Sequence, residues 1–136
     1  MKFDNKIYHI EDEIFRDDPK LSQKEIFDYF SEVVSSKEFP YGPVKMYICG
    51  PKAWENKSVA VEGEIYVLEN THFQKYIILH EIAHAVKRGG KNPHGKAWQK
   101  RYVDLVRIYL DKARAKELES GFKKLMEDFT FKVWIN

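Results

Sequence analysis

The sequence predicts an α+β fold: one domain over residues 1–136, with a small antiparallel sheet and several helices. Three observations predict it. Apolar residues recur at helical spacing in several separate stretches, whereas residues 44–68 change to short β-branched and aromatic runs. Single Pro and Gly residues punctuate the chain without a linker or internal repeat. With 136 residues, 43% of them hydrophobic, the chain is long enough to bury one core and short for two.

Residues 1–20 read two ways: Ile7, Ile10, Ile14 and Phe15 fit one helical face, while Ile7-Tyr8-His9-Ile10 fits a strand equally well. Ser22-Gln23-Lys24-Glu25 is a capping box, flanked by Leu21 and Ile26 as a hydrophobic staple. It opens a helix whose stripe is Ile26, Phe27, Phe30, Val33 and Val34. Pro40, Gly42 and Pro43 force a loop, and Val44–Cys49 has the composition of a strand. Ser58–Val61 and Glu64–Leu68 flank Glu62-Gly63, which predicts a hairpin. Thr71-His72-Phe73-Gln74 reads as a second capping box, opening a helix to Arg88 that Gly89-Gly90 stops. Asn92 as cap and Pro93 in the first turn restart helix, with Trp98, Tyr102, Leu105 and Tyr109 on its buried face. A further helix is expected over about residues 113–127, and Phe131–Ile135 alternates like a final strand.

Lys+Arg 23 against Asp+Glu 21 gives a net charge of only +2, which excludes a uniformly basic nucleic-acid coat or an acidic tail. Cys49 is the single cysteine, so no internal disulfide framework or four-cysteine zinc ribbon can form. Its simplest role is a small buried strand residue. The N-terminal segment lacks the apolar stretch of a signal peptide, and the longest apolar cluster, Tyr76–Val86, is broken by His80, Glu81 and His84. A soluble, cytoplasmic protein with no membrane partner is expected.

The chemistry lies in that cluster. His80-Glu81-Ile82-Ala83-His84 is an H-E-x-x-H run inside a predicted helix, and a chance match in a chain this size is of the order of a few per thousand. Four residues make about one helical turn, so both imidazoles reach one ion while Glu81 reaches the water beside it. Neutral imidazoles suit Zn2+, and three protein ligands leave a fourth position for water, so a third ligand is required. A histidine six residues after the second one is absent, because that place is Gly90. His94, ten residues after His84 and beyond the glycine pair, competes with Asp104, twenty residues after it. The two point roughly 80° apart on one helix, so one ion cannot easily take both. His94 is preferred, since it directly follows the turn and Gly95 and Trp98 allow close approach and then anchor the helix. The positive end of the helix dipole disfavours a nearby cation, but direct coordination exceeds that penalty. Asp104 then reads as a solvated helix charge or an acceptor for an imidazole N–H. His9 and His72 read as exposed or structural, and Trp98, Tyr102 and Tyr109 as core, although a Tyr hydroxyl could turn toward the site.

Residues 87–116 hold ten basic and two acidic side chains. Solvated helix flanks explain this block most simply, and attraction of an anionic partner such as nucleic acid to the basic 87–116 face is the sharper alternative.

His80-Glu81-x-x-His84, Asn92-Pro93-His94-Gly95-Lys96-Ala97-Trp98 and Tyr102-Val103-Asp104-Leu105-Val106 together resemble a SprT-like zinc metalloprotease core. The resemblance is closer still to the small single-domain HExxH metallohydrolases related to it. It is firm over about residues 64–110, with a weaker echo in Tyr8-x-x-Glu11-Asp12-x-x-Phe15. The resemblance implies a zincin-like arrangement, with the H-E-x-x-H helix central and the next helix carrying the third ligand. It implies His80, His84 and His94 as ligands of one zinc per chain, and Glu81 as general base. The chain lacks the cysteine-rich ribbon and DNA-binding tail of the longer SprT-like proteins, so their action on DNA-bound proteins does not carry over. The expected activity is zinc-dependent hydrolysis of a peptide bond in a protein or peptide substrate, with Glu64–Leu68 pairing the substrate as an added strand. The competing readings are a zinc-stabilised binding module using the basic face, and a hydrolase of another amide or ester.

Overall fold

The computed structural model describes residues 2–50, 57–69, 72–86 and 92–135, with residues 130–135 as backbone. The fold is α+β. In chain order the elements are α1 (Phe3–Phe15), α2 (Gln23–Ser35), β1 (Lys45–Cys49), β2 (Val59–Val61), β3 (Glu64–Leu68), α3 (Lys75–Ala85), α4 (Lys96–Tyr109) and α5 (Lys112–Ile135).

The ambiguous N-terminus is a helix. Ile7 and Phe15 are fully buried, and Glu11 lies between them on the same i, i+4, i+8 face, so tertiary packing selects the 3.6-residue period. In α2 the Ser22 hydroxyl accepts from the Glu25 N–H at 3.1 Å and the Glu25 carboxylate accepts from the Ser22 N–H at 2.9 Å, the predicted capping box. Leu21 donates its N–H to the Phe73 carbonyl at 2.7 Å, tying this end of α2 to the approach to α3.

The hairpin is present, but the sheet is mixed rather than antiparallel. Its order is β1-β3-β2, with β2 antiparallel to β3 and β1 parallel to it, Lys45 opposite Glu64 through Cys49 opposite Leu68. The hairpin fixes β2 on one side of β3, so β1 takes the other, where it runs parallel to β3. Gly63 has φ +77°, a region that L side chains rarely adopt. Its carbonyl accepts from Lys45 N–H and its N–H donates to the Ala85 carbonyl, both at 2.9 Å. One turn thereby joins β1, the hairpin and the C-terminal end of α3.

Three boundaries differ from the sequence expectation. α3 starts at Lys75 after Gln74, with no side-chain cap. The segment before it is committed to other partners: Phe73 is buried, and the His72 ring meets the Ser58 hydroxyl at 2.6 Å. Thr71, Arg88 and the glycine pair lie outside the described residues. α4 starts at Lys96 with Gly95 as its N-cap, because Asn92 closes a tight turn instead. Its side chain accepts from His94 N–H and its carbonyl from Gly95 N–H, both at 3.1 Å. The expected strand at 131–135 is the end of α5, whose backbone stays helical to Ile135. Propagating a formed helix adds one hydrogen bond per residue, whereas a five-residue strand must first find an edge.

The core is one cluster running from α1 and α2 through the inner sheet face to α3, α4 and α5. α3 is central: Ile78, Leu79, Ile82 and Ala83 are fully buried, as is the Trp98-Tyr102 face of α4 packed beside it. Among the described residues, no helix is long and apolar enough to cross a membrane.

Candidate metal centre

α3 carries His80 and His84 one turn apart, and the Asn92 turn returns the chain so that His94 faces them. One ligand atom from each of His80, His84 and His94 lies within 4.8 Å of the others. The Nε2 atoms of His84 and His94 are 3.2 Å apart, a contact that requires a proton between them or an ion in its place. Trp98 forms the floor, with ring centroids 4.7, 5.0 and 4.7 Å from His80, His84 and His94, and its Nε1–H donates to the His80 carbonyl at 3.3 Å. Gln99, buried, holds the turn by donating to the His94 carbonyl at 2.9 Å. A Cβ on Gly95 would sit 3.1 Å from the Asn92 carbonyl, so the turn favours glycine without needing a positive φ.

Two carboxylates on α1, neither singled out in the sequence as a site residue, orient two of the imidazoles. Glu11 Oε2 lies 2.7 Å from His80 Nδ1 and also accepts from the Tyr102 hydroxyl at 2.6 Å. Asp4 Oδ1 lies 2.9 Å from His94 Nδ1. With each Nδ1 engaged, each Nε2 is left for the ion, the carboxylate–histidine arrangement that fixes ring and tautomer at zinc sites. The signal for Glu11 was its carboxylate on the buried face between Ile7 and Phe15. Asp4 offered none, because only the tertiary fold brings it near His94.

The three imidazoles differ in basicity. Burial opposes charge on His80, but Glu11 outweighs it and the pKa is raised. Burial and the neighbouring His80, His94 and Arg101 push His84 down to about 2. Burial also lowers His94 despite Asp4. Glu81 is buried, with Oε1 3.7 Å from His80 Nε2, and it lines the same cleft as the three imidazoles. Burial raises its pKa against the pull of His80.

A cleft of about 730 Å³ opens over the three imidazoles and Glu81, with Tyr8 and Ser58–Ala60 on its walls. A larger hollow of about 980 Å³ lies between α4 and α5, among Val103, Phe122 and Met126, away from the histidine cluster. β3 cannot accept a substrate strand, because β1 and β2 already occupy both its sides. Among the described residues β2 pairs only with β3, and Ser58–Ala60 line the cleft.

Asp104 is not at the site: it pairs with Lys100 at 3.2 Å and with Arg107. His9 is exposed beside Glu13, and Cys49 is half-buried. Of the cations in 87–116, Lys87, Arg88 and Lys91 lie outside the described residues. Arg114 pairs with Asp111 and Asp18, and Arg101 donates to the Ala83 carbonyl at 2.9 Å. With Lys100 and Arg107 on Asp104, much of the described block is already held by groups of the fold.

No protein-family model, curated protein or solved structure matches the chain. What the structure itself establishes is a three-histidine cluster able to hold a metal ion, backed by two carboxylates from α1.

Proposed function

We propose that the chain is a zinc-dependent hydrolase acting on peptide bonds, with His80, His84 and His94 as ligands and Glu81 as general base. The observation that carries this reading is the buried Glu81 carboxylate beside three convergent imidazoles. A zinc that served only to fix the fold would need no such carboxylate, whose burial is unfavourable. The SprT-like resemblance points the same way.

Bound zinc would supply Lewis-acid polarisation of a carbonyl and a lowered pKa for water. Glu81, whose pKa burial raises above the usual carboxylate range, is suited both to take a proton from the attacking water and to return it to the leaving amine. Glu11 and Asp4 hold His80 and His94 in the tautomer that leaves Nε2 free. Trp98 excludes water from beneath the rings. An extended peptide would lie along β2, which among the described residues pairs only with β3 and lines the cleft beside the imidazoles. Strand pairing there favours a peptide over a small ester, which has no strand to pair.

The test is hydrolysis of a quenched-fluorescent peptide library by zinc-loaded protein and its Glu81→Gln variant. The variant is expected to keep zinc and fold while losing about 10²–10⁴-fold in rate. Equal rates in the two proteins would remove Glu81 from the mechanism.

A further inference from the structure

We infer that Tyr8 is the hydrogen-bond donor that stabilises the negative charge developing on the scissile carbonyl oxygen, an inference that rests on the hydrolytic reading above. Asp4, Tyr8 and Glu11 follow one another on the face of α1 that meets the site. Asp4 holds His94 and Glu11 holds His80, so the residue between them is carried over both rings. The Tyr8 ring stacks on His80 at 6.1 Å and 22°, and meets His94 edge-on at 5.5 Å.

Three features separate Tyr8 from a packing residue. It is 51% exposed, although it lies on the same side of α1 as the fully buried Ile7 and Phe15. Its hydroxyl has no hydrogen-bond partner among the described residues, whereas the Tyr102 hydroxyl is committed to Glu11 and the Arg101 Nε–H to Ala83. Finally, the cleft over the histidines adjoins a second cavity of about 620 Å³, and Tyr8, Ser58, His80 and Glu81 line both. A substrate spanning the two cavities meets both Tyr8 and Glu81.

The chemistry divides between these two residues. Water oxygen bonds to the carbonyl carbon as the C=O π pair moves onto oxygen, and Glu81 takes the water proton. Collapse reforms C=O, breaks the C–N bond and sends that proton to the amine, giving a carboxylic acid and an amine. Tyr8 donates a hydrogen bond throughout and transfers no proton. A donor fixed on a rigid helix needs no reorganisation as charge develops, which is where such groups act most strongly.

The test compares zinc-reconstituted wild type and Tyr8→Phe, which keeps the ring and removes the hydroxyl. Two zinc-directed probes are titrated: an N-phosphorylated dipeptide, whose tetrahedral phosphoryl oxygens mimic the developing oxyanion, and a thiol-bearing dipeptide of the same sequence, which presents none. Tyr8→Phe is expected to retain zinc and thiol-probe affinity, to bind the phosphoryl probe at least tenfold more weakly, and to lose about 10²–10³-fold in kcat at unchanged KM. Equal phosphoryl affinity in the two proteins would overturn the assignment and leave the hydrolase reading standing. A parallel loss of both probes or of zinc would make Tyr8 a structural support of the ligands. Wild-type zinc protein that binds neither probe would instead defeat the hydrolytic reading and Tyr8 with it.

Discussion

Glu11 shows how one carboxylate sets the state of an imidazole in the histidine cluster. Buried on the Ile7–Phe15 face, it accepts from Tyr102 and meets His80 Nδ1, so its charge is held by two partners. It also keeps His80 the most basic of the three imidazoles, since His84 and His94 are both lowered. Zinc takes neutral imidazole, so a proton displaced on binding comes from His80, whose pKa is raised, rather than from His84 or His94, whose pKa values are lowered. Affinity should therefore rise with pH through the His80 titration, with proton release accompanying zinc binding. In Glu11→Gln the counter-charge is gone, burial dominates, and His80 loses its proton at lower pH. Calorimetry in buffers of different ionisation enthalpy should then find less proton release, with zinc affinity at about pH 8 reduced roughly 10–100-fold. Unchanged release in the variant would show that Glu11 does not control His80. The sequence shows His80, Glu81, His84 and His94 because spacing on a helix and across one turn is local. It does not show the Asp4–His94 pair, which joins residues 90 apart in the chain.

At the scale of elements, the site depends on where α1 lies, and α1 is seated on α5. A Cβ on Gly121 would lie 2.9 Å from Ile10 Cγ2, closer than packed atoms tolerate, so α5 needs glycine there for α1 to approach. Gly121→Ala should destabilise the protein by about 1–2 kcal/mol, overpacking outweighing the better helix propensity of alanine. Because α1 carries Asp4, Tyr8 and Glu11, zinc affinity should fall as well. In an Ile10→Ala background the same substitution should become neutral or stabilising, a coupling that denaturant melts of the four proteins would reveal. Additive effects would mean that the two helices do not press on each other at this point. Elements with strong local signals, such as the Ser22–Glu25 box and the Glu62-Gly63 turn, follow directly from sequence. Those decided by distant contacts do not: α1 becomes helix through its buried stripe, β1 pairs in parallel with β3 on the side that the hairpin leaves open, and Asn92 closes the turn that brings His94 back to α3.

Across the whole molecule, α3 packs against the sheet and α2, while α1 and the turn into α4 supply the groups that complete the histidine cluster. α4 brings the Trp98 floor, the turn before it brings His94, and α1 brings both carboxylates and the Tyr8 wall. The block of positive charge that stands out in the sequence is partly absorbed in the same assembly, since Asp104, Asp111 and Asp18 hold Lys100, Arg107 and Arg114. Charge counted along a chain cannot show this, because pairing is settled only when helices meet. The central claim is that His80, His84 and His94 hold one zinc with a position left open. The X-ray absorption spectrum of zinc bound at one equivalent tests it most directly. Three imidazole nitrogens at about 2.0–2.1 Å and one further light atom are expected, with the imidazole scattering reduced and the zinc weakly held in His94→Ala. A sulfur ligand, a spectrum that changes with Asp104→Ala but not with His94→Ala, or no zinc retained by the wild type would contradict the account.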